Sequence, residues 1–505
     1  MNEELSLLPA RLSAHLGLTL VALFVGVLVS VPLGVLVSRV RRLEAPVLGA
    51  ASVAQTVPSL ALLAFMVPAL AALGVRSIGF LPALIGLSIY SVLPILRNTA
   101  AGLSGIEPAL IEAAQGVGMT PRERLFRVEL PLAAPVIVAG IRTSAVWTVG
   151  TATLSTPVGA QSLGDYIFGG LQTRNHAAVL VGCLASAALA LALDGLVRVI
   201  EIGLRRRGRG VLGIGLGGLV ALAALAVAPV VRGLGRAGDA PVVIGAKTFT
   251  EQYILSRILA GRVSARTGLQ TETLDSLGST VAFDALRTGQ MDAYVDYTGT
   301  IWATVMKRGE VPSDRKEVLR EVTRYLKDEH GIVVACSLGF ENTYAIAMRR
   351  ADAERLGIRR LGDLAAHARS MSVGGDYEIF LRPEWRAIET GYGLRFREQR
   401  SMDPSLLYEA ARGGGVDAIT AFSTDARIVS YDLVVLEDDR RVIPPYDAVV
   451  LVSARAARDR PQVVEALRGL EGAIDADAMR RMNVAVDEKK ETPAKVAERF
   501  SSERR

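Results

Sequence analysis

Aromatic and charged side chains gather in six short segments of the C-terminal half: Gly245-Ala-Lys247-Thr-Phe-Thr-Glu251, Asp296-Tyr297-Thr-Gly-Thr300, Glu341-Asn-Thr-Tyr344-Ala, Tyr377-Glu378-Ile-Phe-Leu-Arg382-Pro, Ala421-Phe422-Ser-Thr-Asp425 and Pro444-Pro-Tyr446-Asp-Ala. None of them pairs a nucleophile with a base, so an enzyme is not indicated and binding is the expected role. The chain has no G-x-x-x-x-G-K-[ST], H-E-x-x-H or C-x-x-C pattern and only four histidines, which leaves little for a nucleotide, zinc or haem site. No cofactor and no metal are expected. Cys183 lies in an apolar run and Cys336 in a polar half, so no disulfide is expected between them.

Most of these segments follow short apolar runs, and the runs alternate with helical patterns. Strands are expected at Val242 to Gly245, Thr271 to Asp275, Met291 to Asp296, Tyr344 to Met348, Ser372 to Gly374, Ala418 to Phe422 and Val449 to Val452. Helices are expected at about Thr250 to Arg266 and Thr280 to Thr288. That order predicts an α/β fold with a parallel sheet. Some 265 residues of this kind suit two lobes with a ligand cleft at the carboxyl ends of the strands.

The first half is different in kind. Of the 505 residues, 50% are hydrophobic, and the mean hydropathy of +0.33 is more apolar than a wholly aqueous protein tolerates. Residues 1–239 hold 18 Arg, no Lys and 11 acids, while residues 240–505 hold 39 basic and 40 acidic residues. The basic excess therefore sits among apolar runs, which argues against nucleic acid as a partner. Six runs of spanning length are predicted: Leu16 to Val37, Val47 to Leu73, Ile78 to Leu96, Leu132 to Leu154, Ala177 to Leu204 and Val211 to Val231. Arginines follow the first (Arg39, Arg41, Arg42), third (Arg97, Arg122, Arg124, Arg127) and fifth (Arg205, Arg206, Arg207, Arg209) runs. These joins are expected on the cytoplasmic side, with Arg76 and Arg174 as exceptions at the others, and the C-terminal half outside. Pro58 and Pro68 interrupt the second run, as a kink or as a break lining a cavity.

Between the third and fourth runs, Glu107 to Pro131 is too polar to cross lipid and reads as a short helix at the membrane surface. Glu112-Ala113-Ala114, then Gly118, then Leu130-Pro131 resembles the EAA loop of bacterial ABC importer permeases, which implies docking into a groove of an ATPase subunit. Small residues permit close helix approach there, and Glu112 can pair with a partner's charge. Ser155 to Asp165 resembles the extracytoplasmic loop of methionine-type permeases.

The six segments, in order and approximate spacing, resemble the binding proteins for glycine betaine, choline, carnitine and related osmoprotectants. The resemblance covers nearly all of 242–500. It implies that Tyr297, Tyr344 and Tyr446 are cage tyrosines around a quaternary ammonium, with Phe422 where a fourth is usual. It further implies that Lys247 and Arg382 receive a ligand carboxylate, aided by the Thr300 hydroxyl and the backbone near Glu378. A trimethylammonium group donates no strong hydrogen bond, so several negative ring faces must select it, each worth about 0.5–2 kcal/mol. The chain departs from the family in Phe422, in Glu384-Trp385 where Asp-Gly is usual after Arg-Pro, and in Ala426 where Gly is usual. These departures bear on which ligand is bound, not on its class.

The expected architecture is an all-α polytopic permease of the methionine type, residues 1–205 with its coupling loop at 107–131. A sixth span and short linker follow over 206–240, then a two-lobed α/β periplasmic-binding-protein-like domain over 241–505. Its lobe 1 is expected at about 241–345 and 446–505, and lobe 2 at about 346–445. The sixth run ends Ala226-Val-Ala228, like a signal peptide, but its length favours an anchor. The expected function is the permease and substrate-binding component of an importer for a quaternary-ammonium solute, with ATP bound by a separate ATPase at the cytoplasmic face. A homodimer in the lipid of the bacterial inner membrane is expected. The competing readings are a membrane-anchored solute receptor, which lacks a visible signalling output, and an importer of another trimethylammonium zwitterion such as ergothioneine.

Overall fold

The computed structural model describes residues 2–173, 175–234, 240–308, 314–443 and 445–503. Arg174, Pro444 and linker residues 235–239 thus lie outside the described residues. The chain divides into two compact units, one holding residues 1–168 and 177–238 and the other 169–176 and 239–505.

The first unit is helical: α1 (Asn2–Arg39), α2 (Glu44–Thr56), α3 (Ser59–Ala72), α4 (Phe80–Ser104), α5 (Pro108–Gly116), α6 (Pro121–Arg124), α7 (Leu130–Ala152), α8 (Gly164–Gln172), α9 (His176–Arg205) and α10 (Arg209–Leu234). Among the described residues, five helices are long and apolar enough to cross a bilayer. The expected second span is not one helix. It is the pair α2 and α3, bent by 96° at Val57-Pro58. Pro58 has no N–H to continue the helix and disfavours helical geometry at Val57, which adopts φ −66°, ψ 128°. The Val57 carbonyl freed by the break accepts from the Tyr90 hydroxyl, and the Gln55 amide donates to the Tyr90 carbonyl at 3.0 Å. Pro68, by contrast, lies inside α3.

The surface segment also differs from the single helix expected. Gly118, at φ +80°, ends α5 in the left-handed conformation that glycine adopts without steric cost, and Met119 N–H donates to Ala114 C=O at 3.1 Å. Thr120 and Glu123 then form a reciprocal capping box that starts α6. A π turn over Leu125–Glu129 carries α6 into α7. Buried Glu129 accepts from Arg124 Nε at 2.7 Å and from Arg39 at the end of α1. Two of the orienting arginines therefore also tie helix ends together.

Among its described residues the second unit contains ten strands: β1 (Val242–Lys247), β2 (Thr271–Leu277), β3 (Ala293–Tyr297), β4 (Val333–Glu341), β5 (Tyr344–Arg349), β6 (Ser372–Gly375), β7 (Glu398–Ser401), β8 (Ala418–Phe422), β9 (Leu433–Val435) and β10 (Asp447–Val452). They make two five-stranded sheets, in the orders β2-β1-β3-β10-β4 and β7-β6-β8-β5-β9. Neither sheet is purely parallel, contrary to the expectation. β10 runs antiparallel to β3 and β4, and β5 antiparallel to β8 and β9. The chain passes between sheets at Asn342-Thr343 and returns between β9 and β10.

Candidate ligand-binding site

The antiparallel pairings decide where the rings meet. β3 ends at Tyr297 and pairs Tyr297 with Ala448, so the start of β10, with Tyr446 just before it, lies at the end of β3. β5 begins at Tyr344, which pairs directly with Phe422 at the end of β8. Each sheet thus presents two rings where two neighbouring interior strands end or begin, although the partners are 78 and 149 residues apart in the chain. Tyr344 and Phe422 have centroids 5.0 Å apart, and Tyr344 meets Tyr446 edge to face at 5.5 Å. Phe249, a ring that the sequence pattern alone did not assign to the cage, joins the set: it stacks on Phe422 at 5.5 Å and lies 6.2 Å from Tyr297. Its signal was its place two residues after β1, in the same segment as Lys247. Gly299 is needed here, since a Cβ would fall 2.5 Å from the Tyr446 ring.

Burial keeps the phenols of Tyr297, Tyr344 and Tyr446 protonated, their pKa values well above the usual range. The Tyr297 hydroxyl donates to Glu251, and the Tyr446 hydroxyl to Glu384 Oε1 at 2.5 Å. The rings are thereby fixed as neutral faces at neutral pH.

Arg382 is buried with its guanidinium carbon 5.6 Å from the Tyr344 ring centroid. Its Nη2 donates to Glu378 Oε2 at 2.6 Å, Nη1 stands 3.7 Å from Glu384 Oε1, and among the described residues Nε and Nη1 make no hydrogen bond. Burial opposes its charge, but Tyr344, Glu378 and Glu384 outweigh that and raise its pKa. An arginine with two unmatched N–H directions can take a carboxylate. Thr300 and Glu378 line the same open cleft as Arg382, together with Ser279 and Asp296. Two expected donors are differently placed. The Lys247 ammonium pairs with buried Asp296, which also accepts from Tyr294 at 2.5 Å and from the Tyr297 N–H at 2.8 Å. The Glu378 and Ile379 N–H groups both donate to Asp376 Oδ1, at 2.9 and 2.7 Å.

In the helical unit, Glu112 and Ala113 are exposed on α5 and Ala114 is buried. A Cβ on Gly118 would meet no atom within 4 Å, so this glycine serves the turn rather than a close contact within the chain.

Residues 240–503 match the family described as the substrate binding domain of ABC-type glycine betaine transport systems. Residues 22–206 match the binding-protein-dependent transport system inner membrane component. The chain is 31% identical over 458 residues to an ergothioneine transport permease/ergothioneine binding protein of Helicobacter pylori (strain G27), covering 88% of this chain and 81% of that one. Its first half is 45% identical over 187 residues to a choline transport system permease protein of Bacillus subtilis (strain 168), 37% of this chain and 83% of that one. Its second half is 29% identical over 272 residues to a carnitine transport binding protein of Listeria monocytogenes, 53% of this chain and 88% of that one.

Proposed function

Because the chain belongs to the ABC-type glycine betaine transport family, joining an inner-membrane permease component to a substrate-binding domain, we propose that it captures a trimethylammonium solute outside the cell and passes it through its own permease. The convergence of Tyr297, Phe249, Phe422, Tyr344 and Tyr446 beside Arg382 carries this reading. Ring faces attract the cation, and the unmatched N–H groups of Arg382 receive a carboxylate. The Thr300 hydroxyl is a further donor, while Lys247 acts through Asp296 by holding the end of β3 in place.

The transport unit is two copies of this chain with two separate ATPase subunits, docked through Glu112 to Gly118 at the cytoplasmic face. It lies in the bacterial cytoplasmic membrane with the α/β domain outside, and the chain itself needs no cofactor. Calorimetry on the full chain in lipid nanodiscs, against choline, glycine betaine, carnitine and ergothioneine, tests the ligand class. Binding of at least one is expected, and binding of none overturns the reading. Ergothioneine belongs in the panel because a relative that aligns with both halves is named for it.

A further inference from the structure

Glu251 is a buried carboxylate at the cavity that Phe249, Tyr344 and Phe422 also line. It stands in the first turn of the helix Thr250–Thr267 and is 1% exposed. Among the described residues no basic side chain pairs with it. Instead four side chains donate to its two oxygens. Oε1 accepts from the Tyr297 hydroxyl and from Asn342 Nδ2 at 2.9 Å. Oε2 accepts from the Thr424 hydroxyl at 2.6 Å and from Asn483 Nδ2 at 3.5 Å. Burying a carboxylate without a cation is costly unless its oxygens are fully hydrogen-bonded, so the four donors must stay together for the site to persist.

The donors come from separate parts of the domain. Tyr297 ends β3 in the first sheet, Asn342 lies on the crossing between sheets, Thr424 follows β8 in the second sheet, and Asn483 is on the helix Ala476–Asp487. A carboxylate needed only to favour a helix N-terminus would require none of them. Of the four, Thr424 alone follows a strand of the second sheet, and its carbonyl also accepts from Asn483 Nδ2 at 3.1 Å. Its hydrogen bond to Glu251 thus joins the end of β8 to the first turn of a helix that packs on the first sheet.

We propose that Glu251 is a positioning residue for ligand capture: it fixes the Tyr297 ring through its hydroxyl and fastens the second lobe through Thr424, so that cage assembly and lobe closure are one event. This rests on the reading that the rings hold a trimethylammonium group. A clamp of this kind acts after encounter, so its loss should appear in the off-rate.

The test is stopped-flow binding of choline and glycine betaine to the full chain in nanodiscs, for the wild type, Glu251→Gln, Thr424→Val, Tyr297→Phe and the double variant Glu251→Gln/Tyr297→Phe. Thr424→Val should raise koff about 10-fold with kon within twofold. Glu251→Gln, with one acceptor oxygen in place of two, should weaken both probes by similar factors of about 10 to 100. The double variant should be no more than about twofold worse than Glu251→Gln, because both remove the same hydrogen bond. Unchanged koff in Thr424→Val and Glu251→Gln, with wild-type binding intact, overturns the clamp alone. If Glu251→Gln fails to fold, Thr424→Val decides by its off-rate. A wild type that binds neither probe defeats the ligand reading and the clamp with it.

Discussion

Arg382 and Lys247 show how far single residues can be read before folding. Both were expected to meet a carboxylate; Arg382 lines the cleft and keeps buried N–H groups without a hydrogen bond among the described residues, with Nη1 3.7 Å from Glu384 Oε1. Lys247 is committed because β1 and β3 are neighbours, with Ile244 opposite Ala293, which brings Asp296 from 49 residues away to its ammonium. Nothing local to either residue announces that pairing. Arg382→Ala should therefore weaken glycine betaine roughly 10- to 100-fold and choline far less, since only the former carries a carboxylate. Equal losses by calorimetry would contradict this role.

A second residue-level prediction concerns Asp487. Burial, with Asp425 nearby, raises its pKa from 3.8 to about 6 against the opposing pull of Arg427. Between about pH 4 and pH 6 the folded chain holds a proton that the unfolded chain has released, so stability should fall as pH rises through that window. Above it the penalty is about 2–3 kcal/mol. Asp487→Asn can still accept the Thr250 hydroxyl, found here at 2.6 Å. It should flatten this part of the pH profile and raise the apparent melting temperature at pH 7. An unchanged slope in thermal melts from pH 4 to pH 7 would assign the slope to other groups.

Among the elements, the strands bearing rings were legible because each is a short apolar run closed by a turn-forming segment. Strand direction was not, because the same runs fit either a parallel or an antiparallel neighbour until the pairing is known. β4, Val333–Glu341, escaped notice because Ser337 and Gly339 break its apolar alternation, though it pairs along β10. The second span failed in a related way. Its hydropathy is continuous, but Pro58 makes the α2–α3 pair bend by 96°. Within the surface segment, the EAA-like residues lie on α5 as expected, and Gly118 has a different reason to be glycine. At φ +80° any side chain is strained, so Gly118→Leu would spoil transport by distorting the turn whether or not it faces a partner. Glu112→Arg is the cleaner probe, because Glu112 is exposed mid-helix and its reversal leaves α5 intact. Ligand uptake by proteoliposomes holding chain and ATPase should drop at least 5-fold, while ligand binding by the same preparation is unchanged. Normal uptake would remove Glu112 from the docking surface.

For the whole molecule, the partition of charge and hydropathy near residue 235 was the clearest feature of the sequence, and the permease and binding-domain families divide there, at 22–206 and 240–503. Fusion has a consequence that neither half has alone. From Leu234 at the end of α10 to Val242 at the start of β1 are eight residue steps, which extended backbone can stretch to about 26–29 Å. A binding domain so tethered meets its own permease at an effective concentration of roughly millimolar, far above what a dilute free binding protein provides. Delivery to the permease should then be independent of the amount of binding domain present. A protease site placed between Leu234 and Val242 makes this measurable. In proteoliposomes with the binding domain facing the bath and ATP supplied within, cleavage should release the domain into the bath. The initial uptake rate at saturating ligand should fall at least 10-fold, and added soluble domain should restore it only at high micromolar to millimolar concentration. An uptake rate unaffected by cleavage would mean that docking is tight enough to need no tether.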